Sequence, residues 1–112
     1  MIDVFTHFMP KPYLDRLADL IPGYAVLSAF PRLKTLWDVE ARLRLLDEFE
    51  GLQQILSLAN PPIELIGPPD KTREVALHAN DCLAEICRNN PDRFPAFIAS
   101  LPTNNEIGRA HV

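Results

Sequence analysis

Apolar positions recur along this chain in two rhythms, and prolines mark where one gives way to the next. Ile2-Asp3-Val4-Phe5 is a short, mostly apolar run of strand type. Between residues 12 and 20, Tyr13, Leu14, Leu17 and Leu20 fall at helical spacing, with Pro12 suited to a first turn, where its missing N–H costs nothing. Residues 22–36 hold no sustained period and predict a long loop, packed down by Tyr24, Phe30 and Leu33. The next segment is clearer. Asp38 is a natural N-cap, and Val39, Leu43, Leu46 and Phe49 follow it on one helical stripe. Gly51 offers the left-handed turn that ends such a helix. Residues 52–59 (LQQILSLA) then predict a buried strand, stopped by Asn60-Pro61-Pro62.

A second cap, Asp70, precedes Val75, Ala79, Cys82, Leu83 and Ile86, the stripe of an amphipathic helix. That helix should stop at Asn89-Asn90-Pro91, because a residue before proline resists the helical region. Residues 94–101 (FPAFIASL) predict a third strand with Pro95 near its start. Strand, helix, strand, helix, strand is the order expected of a parallel sheet, and two successive βα units are the rhythm of a (β/α) barrel.

Composition narrows the function classes. At 112 residues the chain is about one small domain. Hydrophobic residues at 47% and charged residues at 23% argue against disorder. A net charge of −4 and a pI near 5.2 leave no basic stripe for nucleic acid. No apolar run approaches the roughly 18 residues that span a membrane. There is no cleavable leader pattern, and the two cysteines form no disulfide framework, so the expectation is a reducing, cytoplasmic setting.

Candidate chemistry is sparse. His78 and Cys82 lie one helical turn apart, a spacing that metal ligands use, but two groups are half a zinc shell and Cys82 belongs to the apolar stripe. A buried small hydrophobe accounts for Cys82 better, and Cys87 should face away from it. His7 is different. It ends the first strand-like run, and side chains at the C-terminal end of a barrel strand point into the site that such enzymes share.

The run Ile2-Asp3-Val4-Phe5-Thr6-His7-Phe8-Met9-Pro10 resembles the opening strand of the amidohydrolase superfamily, in its amidohydrolase-related (amidohydrolase 2) group. That group includes the aminocarboxymuconate-semialdehyde decarboxylases and related aromatic acid decarboxylases. Its typical opening is Ile-Asp-x-His-x-His-x-x-Pro, with both histidines on the metal. The resemblance continues through residues 37–47 (WDVEARLRLLD), 54–62 (QILSLANPP), 79–81 (AND) and 90–97 (NPDRFPAF). It implies a (β/α)8 barrel of which residues 1–106 supply the N-terminal β-α-β-α-β portion. It also implies a divalent metal, zinc or manganese, in the parent enzyme and a small carboxylated substrate, and it allows a homo-oligomer. Residue by residue only His7 matches a ligand; Phe5 stands where the first metal-binding histidine is usual and cannot coordinate. The remaining ligands implied, two histidines and an aspartate on later strands, would lie beyond residue 106.

The last six residues, Ile107-Gly108-Arg109-Ala110-His111-Val112, spell the in-frame translation of a common short-read library adapter, which then reads a stop. The expectation is therefore an N-terminal piece of a metal-dependent decarboxylase or hydrolase over residues 1–106, followed by a foreign tail over 107–112. Such a piece should be inactive and hold metal weakly. Residues 57–62 and 92–94 favour decarboxylation over hydrolysis. The alternative is a complete small non-catalytic protein that binds a partner through an open sheet edge.

Overall fold

The computed structural model describes residues 1–104; the tail expected over 107–112 lies outside the described residues. Strand β1 (Ile2–His7) leads into helix α1 (Lys11–Leu20), and 3-10 turns at Ala25–Ser28 and Phe30–Arg32 follow. Helices α2 (Lys34–Trp37) and α3 (Val39–Leu46), strand β2 (Gln53–Ser57), a 3-10 turn at Ile63–Leu65, helix α4 (Pro69–Asn89) and strand β3 (Ala96–Phe97) complete the order. The three strands form one parallel sheet, β1-β2-β3. The strand–helix alternation had called for that sheet because parallel neighbours need a long crossover, which α3 and α4 provide or help provide.

Local chemistry explains most element ends. The Asp38 carboxylate accepts from the backbone N–H groups of Glu40 and Ala41, so α3 is capped as expected. Asp70 is not a cap: Pro68 takes that place, and Asp70 sits in the first turn of α4, where a carboxylate suits the helix dipole. Helix α3 closes at Leu46, so Phe49 leaves the stripe and lies exposed in the turn that Gly51 completes with φ 76°. The expected loop over 22–36 is partly helical. Phe30 is buried there and Tyr24 half-buried, whereas Leu33 is exposed.

Two apolar clusters sit on the helix-bearing side. One gathers Met9, Tyr13, Leu14 and Leu17 with Phe30, Ile66, Val75 and Ala79. The other joins Phe8, Leu46, Leu56, Leu83 and Phe94, and so ties α3 and α4 to the middle strand. Each such buried side chain contributes about 1.5–3 kcal/mol. Phe94 serves this core instead of starting a strand. With Pro95 unable to donate, the third strand shrinks from the expected 94–101 to two residues. Its pairing still extends by one bond, Ile98 N–H to the Leu56 carbonyl at 2.8 Å.

A bulge in β1 decides which side chains face which way. Asp3 pairs with Gln54 and Thr6 with Leu56, so three steps along β1 match two along β2. One extra residue therefore sits between Asp3 and Thr6. Asp3 and Thr6 end up on the same, helix-bearing side, and Phe5 and His7 share the other. That other face is uncovered: Ile2, Val4, Phe5 and Ile98 are all exposed. Leu58 does not join them, since it packs against both apolar clusters.

Candidate functional site

The C-terminal ends of the three parallel strands lie together, and this is where an open α/β sheet binds its ligands. His7 closes β1, Ser57 closes β2 opposite it, and Ser100 follows β3. His7 and Ser100, with the 58–63 loop, line an open pocket of about 280 Å³. The loop leaves β2 through a cis Asn60–Pro61 peptide and is held to the end of β1 by the Ala59 N–H, 3.3 Å from the Met9 sulfur.

His7 is held at both ends. Ser57 Oγ lies 3.3 Å from His7 Nδ1 and donates to the Thr6 carbonyl at 2.7 Å. The His7 carbonyl accepts from Arg42 Nη2 at 2.7 Å. Arg42 is almost fully buried and also donates to Thr35 O at 2.7 Å and Gln54 Oε1 at 2.9 Å, with its guanidinium 5.3 Å from the centre of the Phe8 ring. Burial pulls the Arg42 pKa below the usual arginine value, and the Asp3 carboxylate works in the opposite direction. On the exposed side, the Phe5 ring meets the His7 ring edge-on, with centroids 5.2 Å apart.

Ser100 is placed by a reciprocal pair. Asn80 Nδ2 donates to its carbonyl at 3.0 Å, and its N–H donates to Asn80 Oδ1 at 2.9 Å. Spacing alone singled out none of Ser57, Arg42, Asn80 or Ser100. Arg42, Ser57 and Asn80 did fall inside stretches of family resemblance, and that was the available sign.

His78 and Cys82 form no site with further ligands. Among the described residues no group of three or more His, Cys, Asp or Glu is placed to hold a metal ion. Cys82 is half-buried rather than buried, and Cys87 packs against the second cluster. Burial raises both thiol pKa values, with Glu85 and Asp81 adding to the effect at Cys82.

The chain matches no protein-family model. It is 38% identical over 96 residues to the gamma-resorcylate decarboxylase of Rhodococcus jostii, covering 86% of this chain and 28% of that protein. The same enzyme from Rhizobium radiobacter is 40% identical over 96 residues, with the same coverage. Among solved structures, the Polaromonas dihydroxybenzoic acid decarboxylase with bound manganese and 2-nitroresorcinol superposes with a TM-score of 0.73 at 32% identity. That match covers 98% of this chain and 32% of the other. The chain is a homologue of the amidohydrolase-related decarboxylases. It spans about 28% of the length of the curated relatives it matches.

The sheet end that carries His7 lies in the part of this chain that matches about one third of the Polaromonas protein. The manganese of the Polaromonas relative is a test of the residues present, and they do not meet it. His7 offers one imidazole, and its same-face neighbour on β1 is a phenylalanine ring. Asp3, the nearest carboxylate on that strand, lies on the Arg42 side. One imidazole does not hold a divalent ion at useful affinity.

Proposed function

We propose that residues 1–106 are the opening strands of a longer barrel enzyme that removes carbon dioxide from a hydroxylated aromatic acid. The observation that carries this reading is the match itself: 38–40% identity to gamma-resorcylate decarboxylases over nearly the whole chain, with His7 at the shared C-terminal end of the sheet. The relatives include a 2,6-dihydroxybenzoate decarboxylase solved with 2,6-dihydroxybenzoate, which names the class of substrate to try first. A divalent metal belongs to the proposed parent, with His7 as one ligand and the rest of the shell from later strands. No chemical step is assigned to that metal on the residues described. Within this chain, Arg42 and Ser57 hold His7 in place, and the pocket beside Ser100 receives part of a small planar acid. The uncovered face bearing Ile2, Val4, Phe5 and Ile98 supports a barrel still to be closed, since a closed barrel fills that side with side chains.

The same face also favours a second reading, in which the chain is complete and docks a partner on its open sheet. One experiment separates the two. The gene is read past codon 106 from an independent clone, the longer product is purified with manganese, and carbon dioxide release from 2,6-dihydroxybenzoate is measured. Release that is lost in His7→Ala supports the enzyme. A natural stop near codon 106, or a metal-loaded product inert toward every dihydroxybenzoate isomer, overturns it.

A further inference from the structure

Histidine carries one proton on either of two ring nitrogens when neutral, and the partner of one nitrogen decides which. The Ser57 hydroxyl has a single hydrogen and two acceptors within reach. At 2.7 Å the Thr6 carbonyl is a full hydrogen bond, whereas His7 Nδ1 at 3.3 Å is at the long end of the range. A carbonyl cannot donate, so the shorter contact commits the hydroxyl hydrogen to Thr6. Ser57 Oγ then keeps only lone pairs toward the imidazole, and the contact is a hydrogen bond only if Nδ1 carries the proton.

We infer that Ser57 is a positioning residue that locks His7 as the Nδ1-protonated tautomer and leaves Nε2 as the free electron pair of the site. Three further contacts fix the geometry on which this depends. The pairing of His7 with Ser57 sets the two side chains on one face. The Phe8 N–H donates to the Ser57 carbonyl at 2.8 Å. Arg42 holds the His7 carbonyl from the other side of the sheet at 2.7 Å. An unconstrained neutral histidine favours the opposite tautomer, with the proton on Nε2 and no electron pair there to offer. The value of the lock to a ligand or substrate rests on the proposed decarboxylase reading; the tautomer itself does not.

The test reads nitrogen-15 NMR of the imidazoles in the full chain at about pH 8, above the ordinary histidine pKa. His7 is assigned by its absence in H7Q. Solution spectra serve a monomer and magic-angle-spinning spectra an assembly. The expected result is a protonated-type Nδ1 and an unprotonated-type Nε2 in the wild type and in Ser57→Thr, which keeps a hydroxyl. In Ser57→Ala the ratio should move about fivefold toward the Nε2-protonated form, the effect of losing one hydrogen bond of about 1 kcal/mol. An Nε2-protonated majority in the wild type, or an unchanged ratio in Ser57→Ala, overturns the inference. Should Ser57→Ala fail to fold, the wild type and Ser57→Thr still decide it. No metal or substrate enters the measurement, so an inert parent enzyme leaves this result standing, and a wrong tautomer leaves the family reading standing.

Discussion

The guanidinium of Arg42 reaches through the side of the sheet opposite the candidate pocket and donates to the carbonyl of His7 at 2.7 Å. The one residue that matches a family ligand is therefore anchored from behind by a buried charge on α3. Arg42 is only 7% exposed, and its other two acceptors lie on the residue after α2 starts and on β2. A single side chain thus joins the first strand, the second strand and the segment leading into α3.

Replacing Arg42 should cost far more than a surface arginine does. Arg42→Ala leaves the carbonyls of His7 and Thr35 and the amide of Gln54 without their charged donor. Hydrogen bonds to charged groups are worth about 1.5–3 kcal/mol. The expected loss is about 3 kcal/mol, with Arg42→Lys intermediate because an ammonium keeps the charge but cannot reach as a planar fork. Urea unfolding followed by circular dichroism checks this. A midpoint within error of the wild type would show that the clamp contributes nothing.

Tyr13 gives the opposite expectation. Its side chain is fully buried in the first cluster, and its hydroxyl has no hydrogen-bond partner among the described residues. Tyr13→Phe removes an unsatisfied polar group and should stabilise by about 1 kcal/mol. Burial also raises the tyrosine pKa well above its ordinary value. The folded state then keeps the proton after the unfolded state has lost it. Stability is full below the ordinary tyrosine range near 10 and falls as pH rises beyond it. Thiol burial at Cys82 and Cys87 starts a similar loss at lower alkaline pH. Tyr13→Phe should remove the steeper, later part of the alkaline decline and leave the earlier part. A wild-type stability that stays flat to pH about 11 would contradict this.

What could be read from the sequence was what local chemistry controls. The Asp38 cap depends on a carboxylate and two N–H groups within three residues, so it was visible without a fold. The α4 stripe was visible for the same reason, because Val75, Ala79 and Leu83 bury on one helical face whatever lies opposite. The third strand was not. Whether Phe94 extends a sheet or fills a core depends on Leu46, Leu56 and Leu83, which are distant in sequence. The β1 bulge was hidden for a related reason: only its partner strand reveals that three steps match two. The place of His7 at the end of β1 was legible in the sequence, and its role as a ligand is a proposal that rests on family likeness. Arg42 reads as an ordinary helix-surface arginine until β1 and β2 are beside it.

The uncovered sheet face predicts association. Val4 is 64% exposed and Ile98 53%, on a face that in a closed barrel is packed with side chains. Beside it, β1 and the two-residue β3 present open sheet edges. Contiguous apolar surface next to unpaired edges recruits other copies of the same chain. Sedimentation velocity of the isolated chain should show mass rising with concentration, and Val4→Lys with Ile98→Lys should suppress it. That double variant then gives a monomeric background for the unfolding experiments above. A wild type that stays monomeric at high concentration would mean that the face is tolerated by water or covered in another way.

Phe5 bears on metal chemistry directly. The bulge puts it on the same face as His7, two residues away, with ring centroids 5.2 Å apart. Zinc binds imidazole nitrogen at about 2.1 Å, so two histidine rings at this separation can share one ion. A phenylalanine ring has no donor to offer. The wild-type chain should therefore purify with no stoichiometric zinc or manganese, measured by elemental analysis after dialysis. Phe5→His should bind zinc in titration more tightly than the wild type, although two imidazoles are still half a shell, and the gain should vanish again when His7→Gln is added. The variant costs little on its own account, since Phe5 is 82% exposed and buries nothing in the core. Tight one-to-one metal in the wild type would mean that ligands are drawn from residues other than the β1 pair. Failure of Phe5→His to bind would mean that the bulge does not aim the two side chains together, and the face assignment of β1 would have to be redrawn.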